Sequence, residues 1–291
     1  MPQSAAFDSY YQAIYEDRWP VLRQALIEPR RHVARVTSLG AESGGYVGAP
    51  EIESGCLAVD QADLLPESEQ GQLYLMDLAS VYAARSLGVE PGMTVWDACA
   101  APGGKTLILL EALAGSGSLD ACDLSRARCA KMKQVITTHS TDFVQVPLRV
   151  VSCDSVNWGY RHQDTYDAVM LDVPCSSERH VITDATHLNQ WTEKRVKTLL
   201  KRQYALLCSA VLACKPGGRI VYSTCSINPE ENDGIIERYL EKKPGVVRVC
   251  ELNLPIGRPT KYGWSITPDQ DEGWGPLFFI RLERASSSGG K

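Results

Sequence analysis

The sequence predicts an α/β fold: a mostly parallel sheet of seven strands with an antiparallel edge, covered by helices on both faces and preceded by an N-terminal helical extension. Three observations lead there. From residue 71 onward, strand-like apolar runs alternate with helical segments, as in a parallel sheet with crossover helices. Four of those runs end on aspartate. The charge also changes along the chain, with five basic against eleven acidic residues in 1–70 and 25 against 24 in the remainder. The shift marks a boundary near residue 70. The expected organisation is an extension over 1–70, a main domain over 71–285 and a flexible Ser/Gly tail over 286–291.

The elements follow in order. "FDSYYQAIYEDRWPVLRQAL" has helical spacing of Tyr10, Ile14, Trp19, Leu22 and Leu26, and "SLGAESGGYVGAPEIESG" reads as a loop. Strand-like runs end at Asp97 ("MTVWD"), Asp123 ("SLDACD"), Asp154 ("LRVVSCD"), Asp172 ("YDAVMLD") and Cys225 ("GRIVYSTC"). Helical segments fall near 104–114, 125–138, 193–213 and 229–242. "VVRVCEL" and "PLFFIRLE" follow with no convincing helix between them, so the sheet is expected to close with an antiparallel pair.

Composition narrows the function. With 291 residues, 44% hydrophobic and 22% charged, the chain is long enough for one large domain and is neither disordered nor fibrous. No apolar run approaches the ~18–20 residues of a membrane helix. The first twenty residues carry Asp8, Glu16 and Asp17 and read as neither signal peptide nor organelle presequence. Ten cysteines without a C-x-x-C pair argue against a zinc site or a disulfide framework and suit a reducing compartment.

Open α/β sheets bind ligands beyond the carboxyl ends of their strands. There "DACAAPGGKT" offers a tight turn built on Gly103 and Gly104, but it lacks the first glycine of a phosphate loop, where Cys99 stands, and no G-x-G-x-x-G occurs. Asp123 lies where a carboxylate meets ribose hydroxyls, or alternatively caps the following helix. Asp154 is placed for an adenine amino group, or again for a cap. A ribose and an adenine without a pyrophosphate describe S-adenosylmethionine. "DVPCSS" and "YSTCS" add two thiols, Cys175 and Cys225, at adjacent strand ends. Carbon 5 of a pyrimidine is a poor nucleophile, and a thiolate added at carbon 6 makes it enamine-like. Asp172 is the nearest candidate acid for nitrogen 3 of that base, and a second thiol could assist release.

"DACAAPGGKT", "ACDLS" with Arg128 five residues after Asp123, "DVPCSS" and "YSTCS" resemble, in order and spacing over 71–291, the Sun (Nop2/Fmu) family of RNA cytosine-5 methyltransferases. The resemblance implies a Rossmann-like class I methyltransferase fold, Cys225 as nucleophile and Cys175 assisting release. It implies cofactor contacts at Gly103, Gly104, Lys105, Asp123, Arg128, Asp154 and Asp172. "LYLMDLAS", "DVPCSSERH" and "GPLFFIRLER" look most like the mitochondrial ribosomal-RNA member. That likeness implies ribosomal RNA as substrate, a mitochondrial location, a role at the assembling mitochondrial ribosome and partnership with a helical-repeat protein of the mitochondrial termination-factor-like kind. A transfer-RNA methyltransferase and a scaffold whose catalysis is dispensable are the alternatives. The net charge of −5 opposes non-specific RNA binding, so a basic partner is expected to contact the acidic 1–70 region. Basic residues cluster only locally, among them Arg126 to Lys133 and Lys194 to Arg202. Arg30, Arg31 and Arg35 could add to a groove; His180 reads equally as an RNA contact or an ordinary loop residue, and Trp158 and Trp191 could stack on bases but read more readily as packing residues.

Overall fold

A computed structural model describes residues 3–36, 51–59, 73–139 and 145–286. The chain opens with α1 (Gln3–Tyr15) and α2 (Trp19–Ile27). A 3₁₀ turn at Glu16–Arg18, entered with Glu16 at φ 49°, breaks what the spacing presents as one helix. The buried stripe is therefore Phe7, Tyr11, Trp19, Leu22 and Leu26, with Tyr10 and Ile14 at its margin. It packs on Val181, Trp191, Val196 and Ile227 of the main domain.

Between extension and main domain lies an antiparallel sheet, absent from the sequence reading. Its strands β1 (His32–Val36), β2 (Glu51–Glu53), β3 (Cys56–Val59) and β4 (Leu73–Met76) run in the order β2-β3-β1-β4. Segments of three to five residues are too short for periodicity to reveal. β4 follows residue 70 yet pairs with β1, so the small sheet draws strands from both sides of the expected boundary. That boundary, most of the glycine-rich loop and the tail beyond Ser286 fall outside the described residues.

The main domain then runs α3 (Leu78–Ser86), β5 (Thr94–Asp97), α4 (Gly104–Leu113), β6 (Ser118–Asp123), α5 (Arg126–His139), β7 (Leu148–Ser152), α6 (Ser155–Arg161) and β8 (Tyr166–Asp172). It continues with α7 (Glu178–Thr183), α8 (Ala185–Asn189), α9 (Glu193–Ala213), β9 (Cys214–Thr224), α10 (Asp233–Lys242), β10 (Val247–Cys250), β11 (Arg258–Pro259), β12 (Trp264–Ile266) and β13 (Leu277–Arg284). The large sheet has the order β11-β12-β13-β9-β8-β5-β6-β7, with β10 also on β13. Five strands are parallel and the other four antiparallel. The sheet has nine strands rather than seven because β11 and β12, two and three residues long, extend the antiparallel edge.

Successive residues of the central strands feed opposite faces. Val95, Ala168, Met170 and Val221 pack with Leu107, Leu110 and Met132 on one side, while Trp96, Val169, Leu171 and Tyr222 meet Leu206, Leu207 and Ile235 on the other. Each such aliphatic side chain contributes about 1.5–3 kcal/mol by leaving water. Burial on both faces makes these strands read as nearly continuous apolar runs. It also pins their register, which aligns the carboxyl ends of the parallel strands along one edge.

Candidate active site at the carboxyl ends of the parallel strands

The two thiols meet because β8 and β9 are parallel neighbours with Asp172 opposite Ser223. The turns leaving them run side by side, and Cys175 Sγ lies 3.0 Å from Cys225 Sγ. Ser177, held at φ 53°, places its hydroxyl 3.4 Å from the first thiol and 3.2 Å from the second. Cys225 is exposed and Cys175 half-buried. Donation from Cys175 and Ser177 outweighs burial and lowers the Cys225 pKa, whereas the Cys175 thiol is pushed well up. The accessible sulfur is thus the one that ionises more readily.

Behind the thiols, Asp172 accepts from Lys105 Nζ at 2.7 Å and from Ser223 Oγ at 2.7 Å. Burial works against the Lys105 ammonium, but the fields of Asp172 and Asp97 more than offset it and raise its pKa. Ser223 and this pairing are not readable from the sequence, since the partners lie 51 and 67 residues from Asp172.

A cavity of about 270 Å³ opens beside this pair, lined by Tyr74, Asp97, Pro102, Gly104, Lys105 and Asp172 among others. Asp97 is 1% exposed; Thr106 donates to its Oδ2, while Oδ1 has no partner among the described residues. Burial pushes its carboxyl up to about 7. An unpaired buried acceptor in a cavity wall suits a cationic donor, and an ammonium there would restore the ionised form. The residues present therefore fit the amino-acid end of S-adenosylmethionine. Asp97 stood in the sequence as one more strand-end aspartate, and that position was the signal that could have marked it.

Gly103 and Gly104 serve packing as well as approach. Gly103 has φ +112°, and a Cβ there would lie 3.2 Å from Met132; one on Gly104 would lie 2.8 Å from the Tyr74 ring. Asp123, 3% exposed, accepts from the Ser125 amide through Oδ1 and pairs with Arg128 through Oδ2 at 3.0 Å. The cap of α5 is Ser125, whose hydroxyl accepts from the Arg128 amide. Arg128 also donates to the Ala101 carbonyl, tying α5 to the turn after β5. Asp154 does cap α6, accepting from Val156, and also pairs with Arg202 of α9. Neither Asp123 nor Asp154 lines the 270 Å³ cavity.

A smaller cavity of about 80 Å³ touches Cys225, Ser177 and His180. Both cavities share Arg30, Asp77 and Ser80, so a ligand in the larger one would face a base at the thiols across that seam. Of the three early arginines only Arg30 reaches it; Arg31 pairs with Glu272 and Arg35 is buried against Glu111. Trp191 is packed among Phe7, Tyr10 and Tyr11, and Trp158 stacks on His162 at 4.0 Å, so both are packing residues. His180, Asp184 and His187 have ligating atoms within 4.8 Å of one another and could hold a metal, although Asp184 already caps α8.

Residues 84–280 match the family described as 16S rRNA methyltransferase RsmB/F. The chain is 33% identical over 282 residues to "5-cytosine rRNA methyltransferase NSUN4" of Bos taurus, covering 81% of this chain and 73% of that protein. It is 31% identical over 225 residues to "tRNA (cytosine(34)-C(5))-methyltransferase, mitochondrial" of Danio rerio, covering 73% and 61%. The solved structure of NSun6 from Pyrococcus horikoshii with SFG superposes with a TM-score of 0.80 at 18% identity, covering 96% of this chain and 98% of that one, a likeness of fold.

Proposed function

The chain belongs to the RsmB/F family of S-adenosylmethionine-dependent RNA cytosine-5 methyltransferases, and from that membership we propose that it methylates a cytosine of ribosomal RNA with Cys225 as nucleophile. The observation that carries the assignment of roles is the thiol pair: the exposed sulfur is lowered in pKa by the half-buried one 3.0 Å away.

Bound at the larger cavity, the cofactor supplies an electrophilic methyl group. Asp97, Lys105, Asp172 and the Gly103–Gly104 turn would hold its amino-acid end, and Asp123, Arg128 and Asp154, which lie outside that cavity, would meet its adenosine. The Cys225 thiolate adds to carbon 6 of the cytosine, which raises electron density at carbon 5. The Asp172–Lys105 pair faces nitrogen 3, where negative charge develops, and the ammonium that Asp172 positions stabilises that charge. Carbon 5 takes the methyl group and then gives its proton to water, and the electron pair of that C–H bond expels the Cys225 sulfur as thiolate. Cys175, adjacent and protonated, is positioned to assist that release.

Ribosomal RNA is favoured because the match to the rRNA-directed relative spans more of this chain than the match to the tRNA-directed one. Mapping 5-methylcytosine in RNA from cells with and without the protein tests the reading. Loss confined to transfer RNA would move the substrate. We place the protein in mitochondria on its likeness to eukaryotic relatives, one of them described as mitochondrial; imaging of the tagged full-length protein checks this. A helical-repeat partner is the further expectation, supported by the acidic balance of 1–70 and tested by co-purification at moderate salt.

Asp123→Ala is expected to weaken cofactor binding by about 1–3 kcal/mol, the cost of a lost charge-assisted hydrogen bond. Calorimetric titration reads this directly. Unchanged affinity would leave Asp123 as the holder of the Ser125 turn alone.

A further inference from the structure

Beneath the two thiols lies a buried pair of carboxyl groups that the mechanism above does not use. Glu178 and Glu231 are both 0% exposed. Ser176, next to Cys175, and Ser226, next to Cys225, stand between them. Each glutamate grips the thiol-bearing turn that follows the other strand through a main-chain N–H group. The Ser176 amide donates to Glu231 Oε2 at 3.0 Å, and the Ile227 amide donates to Glu178 Oε2 at 3.0 Å. Tyr11 of α1 donates to Glu178 Oε1, and Gln203 of α9 to Glu231 Oε2 at 2.6 Å.

Counting protons limits how this cage can be charged. Glu178 Oε1, Glu231 Oε1 and the two serine hydroxyls make five close oxygen–oxygen contacts, including one between the serines at 3.0 Å. The serines supply two protons. With both glutamates ionised, the remaining contacts would set lone pairs against lone pairs between two like charges, in a site where neither can be hydrated. One carboxyl proton relieves this. Glu231 Oε1 is the oxygen to carry it, because its partners are serine hydroxyls that accept as well as donate, whereas both oxygens of Glu178 and Oε2 of Glu231 take N–H or phenolic donors.

We propose that Glu231 is kept protonated beside an ionised Glu178, and that this carboxyl pair is the positioning element that holds the Cys175 and Cys225 turns at their working separation. The proposal rests on the reading of those thiols as the reacting pair. Burial, with the field of Glu178 second, raises the Glu231 carboxyl to about 7 and agrees with the proton count. The titratable groups facing the pair are Tyr10, Tyr11 and Tyr15 from the N-terminal helical part, Tyr222 from β9 and the two thiols. No lysine, arginine or histidine is among the pair's hydrogen-bond partners in the described residues. When Glu231 ionises, repulsion opens the cage and the turns separate.

Glutamine is the test, because at 231 it copies the protonated acid. Its carbonyl can take the Ser176 and Gln203 donors while its amide donates where the proton stood. Glu231→Ala should cost about 10²-fold in kcat, as expected for reacting groups displaced by an ångström, with little change in cofactor affinity. Glu231→Gln should restore most of that loss. It should also abolish the fall in rate expected of the wild type as pH rises through about 7. Glu178→Gln should not rescue, since it puts a donor among donors. Two readouts need no RNA. At pH 6 the wild-type infrared spectrum should carry a protonated-carboxyl stretch from Glu231 beside that of Asp97, and in Glu231→Gln the first should vanish while the Asp97 contribution stays. A raised carboxyl stabilises the fold below its unfolded pKa and loses that contribution as pH rises through the folded value, so the thermal midpoint should fall less toward pH 8 in Glu231→Gln than in wild type. Absence of a protonated-carboxyl difference between wild type and Glu231→Gln, or a glutamine variant as impaired as alanine with the alkaline limb intact, would overturn the proposal. If the wild type methylates no RNA, the functional reading fails, while the infrared and stability measurements still decide this one.

Discussion

Cys225→Ala is expected to abolish methyl transfer and to leave no covalent complex with RNA, while Cys175→Ala accumulates a denaturation-resistant adduct. Removing a nucleophile that works as one unit with its neighbours costs on the order of 10⁶-fold in kcat. The opposite phenotypes follow from the asymmetry of the pair. Cys225 is exposed and within hydrogen-bond reach of Cys175 and Ser177, whose donation favours its thiolate, so that thiolate is available for attack. Cys175 is half-buried with its thiol held protonated, which suits assistance at the elimination step and not attack. Denaturing gels of each variant with labelled RNA separate the two roles. An adduct in Cys225→Ala and none in Cys175→Ala would assign the nucleophile to Cys175.

Asp172→Ala should lower kcat by about 10²–10³-fold, the usual loss when one preorganised group that meets developing charge is removed. The loss has two components. The group facing nitrogen 3 disappears, and Lys105 and Ser223 are left without their shared acceptor in a largely buried site. Asp172→Asn keeps an acceptor for one of the two donors and should fall between the alanine variant and wild type. Rates measured at saturating cofactor distinguish this from a binding defect. A fall in cofactor affinity with kcat unchanged would reassign Asp172 to the cofactor alone.

Much of the site was legible before folding because strand ends in a parallel sheet converge by topology. "DACAAPGGKT", "DVPCSS" and "YSTCS" each stop at the same edge, so placing the runs in order already places Lys105, Asp172, Cys175 and Cys225 near one another. The helices over 104–113, 126–139 and 193–213 were likewise readable, each being ten residues or longer. The break at Glu16–Arg18 was not, because a single residue at positive φ interrupts the helix without disturbing the apolar spacing. The strands β1 to β4, β11 and β12 were invisible for the opposite reason, being too short to show a period.

The sequence by itself determined the class of chemistry. Two thiols and a phosphate-free cofactor turn at the ends of alternating strands are local facts, carried by residues adjacent in the chain. Tertiary structure decided which thiol is exposed, that Lys105 answers Asp172, that Asp97 keeps an unpaired oxygen in a cavity wall, and that Tyr11 reaches Glu178 across 167 residues. The physical reason is common to all four. Ionisation, pairing and burial depend on what lies within a few ångströms, and for buried groups those neighbours come from distant segments whose meeting no local spacing encodes.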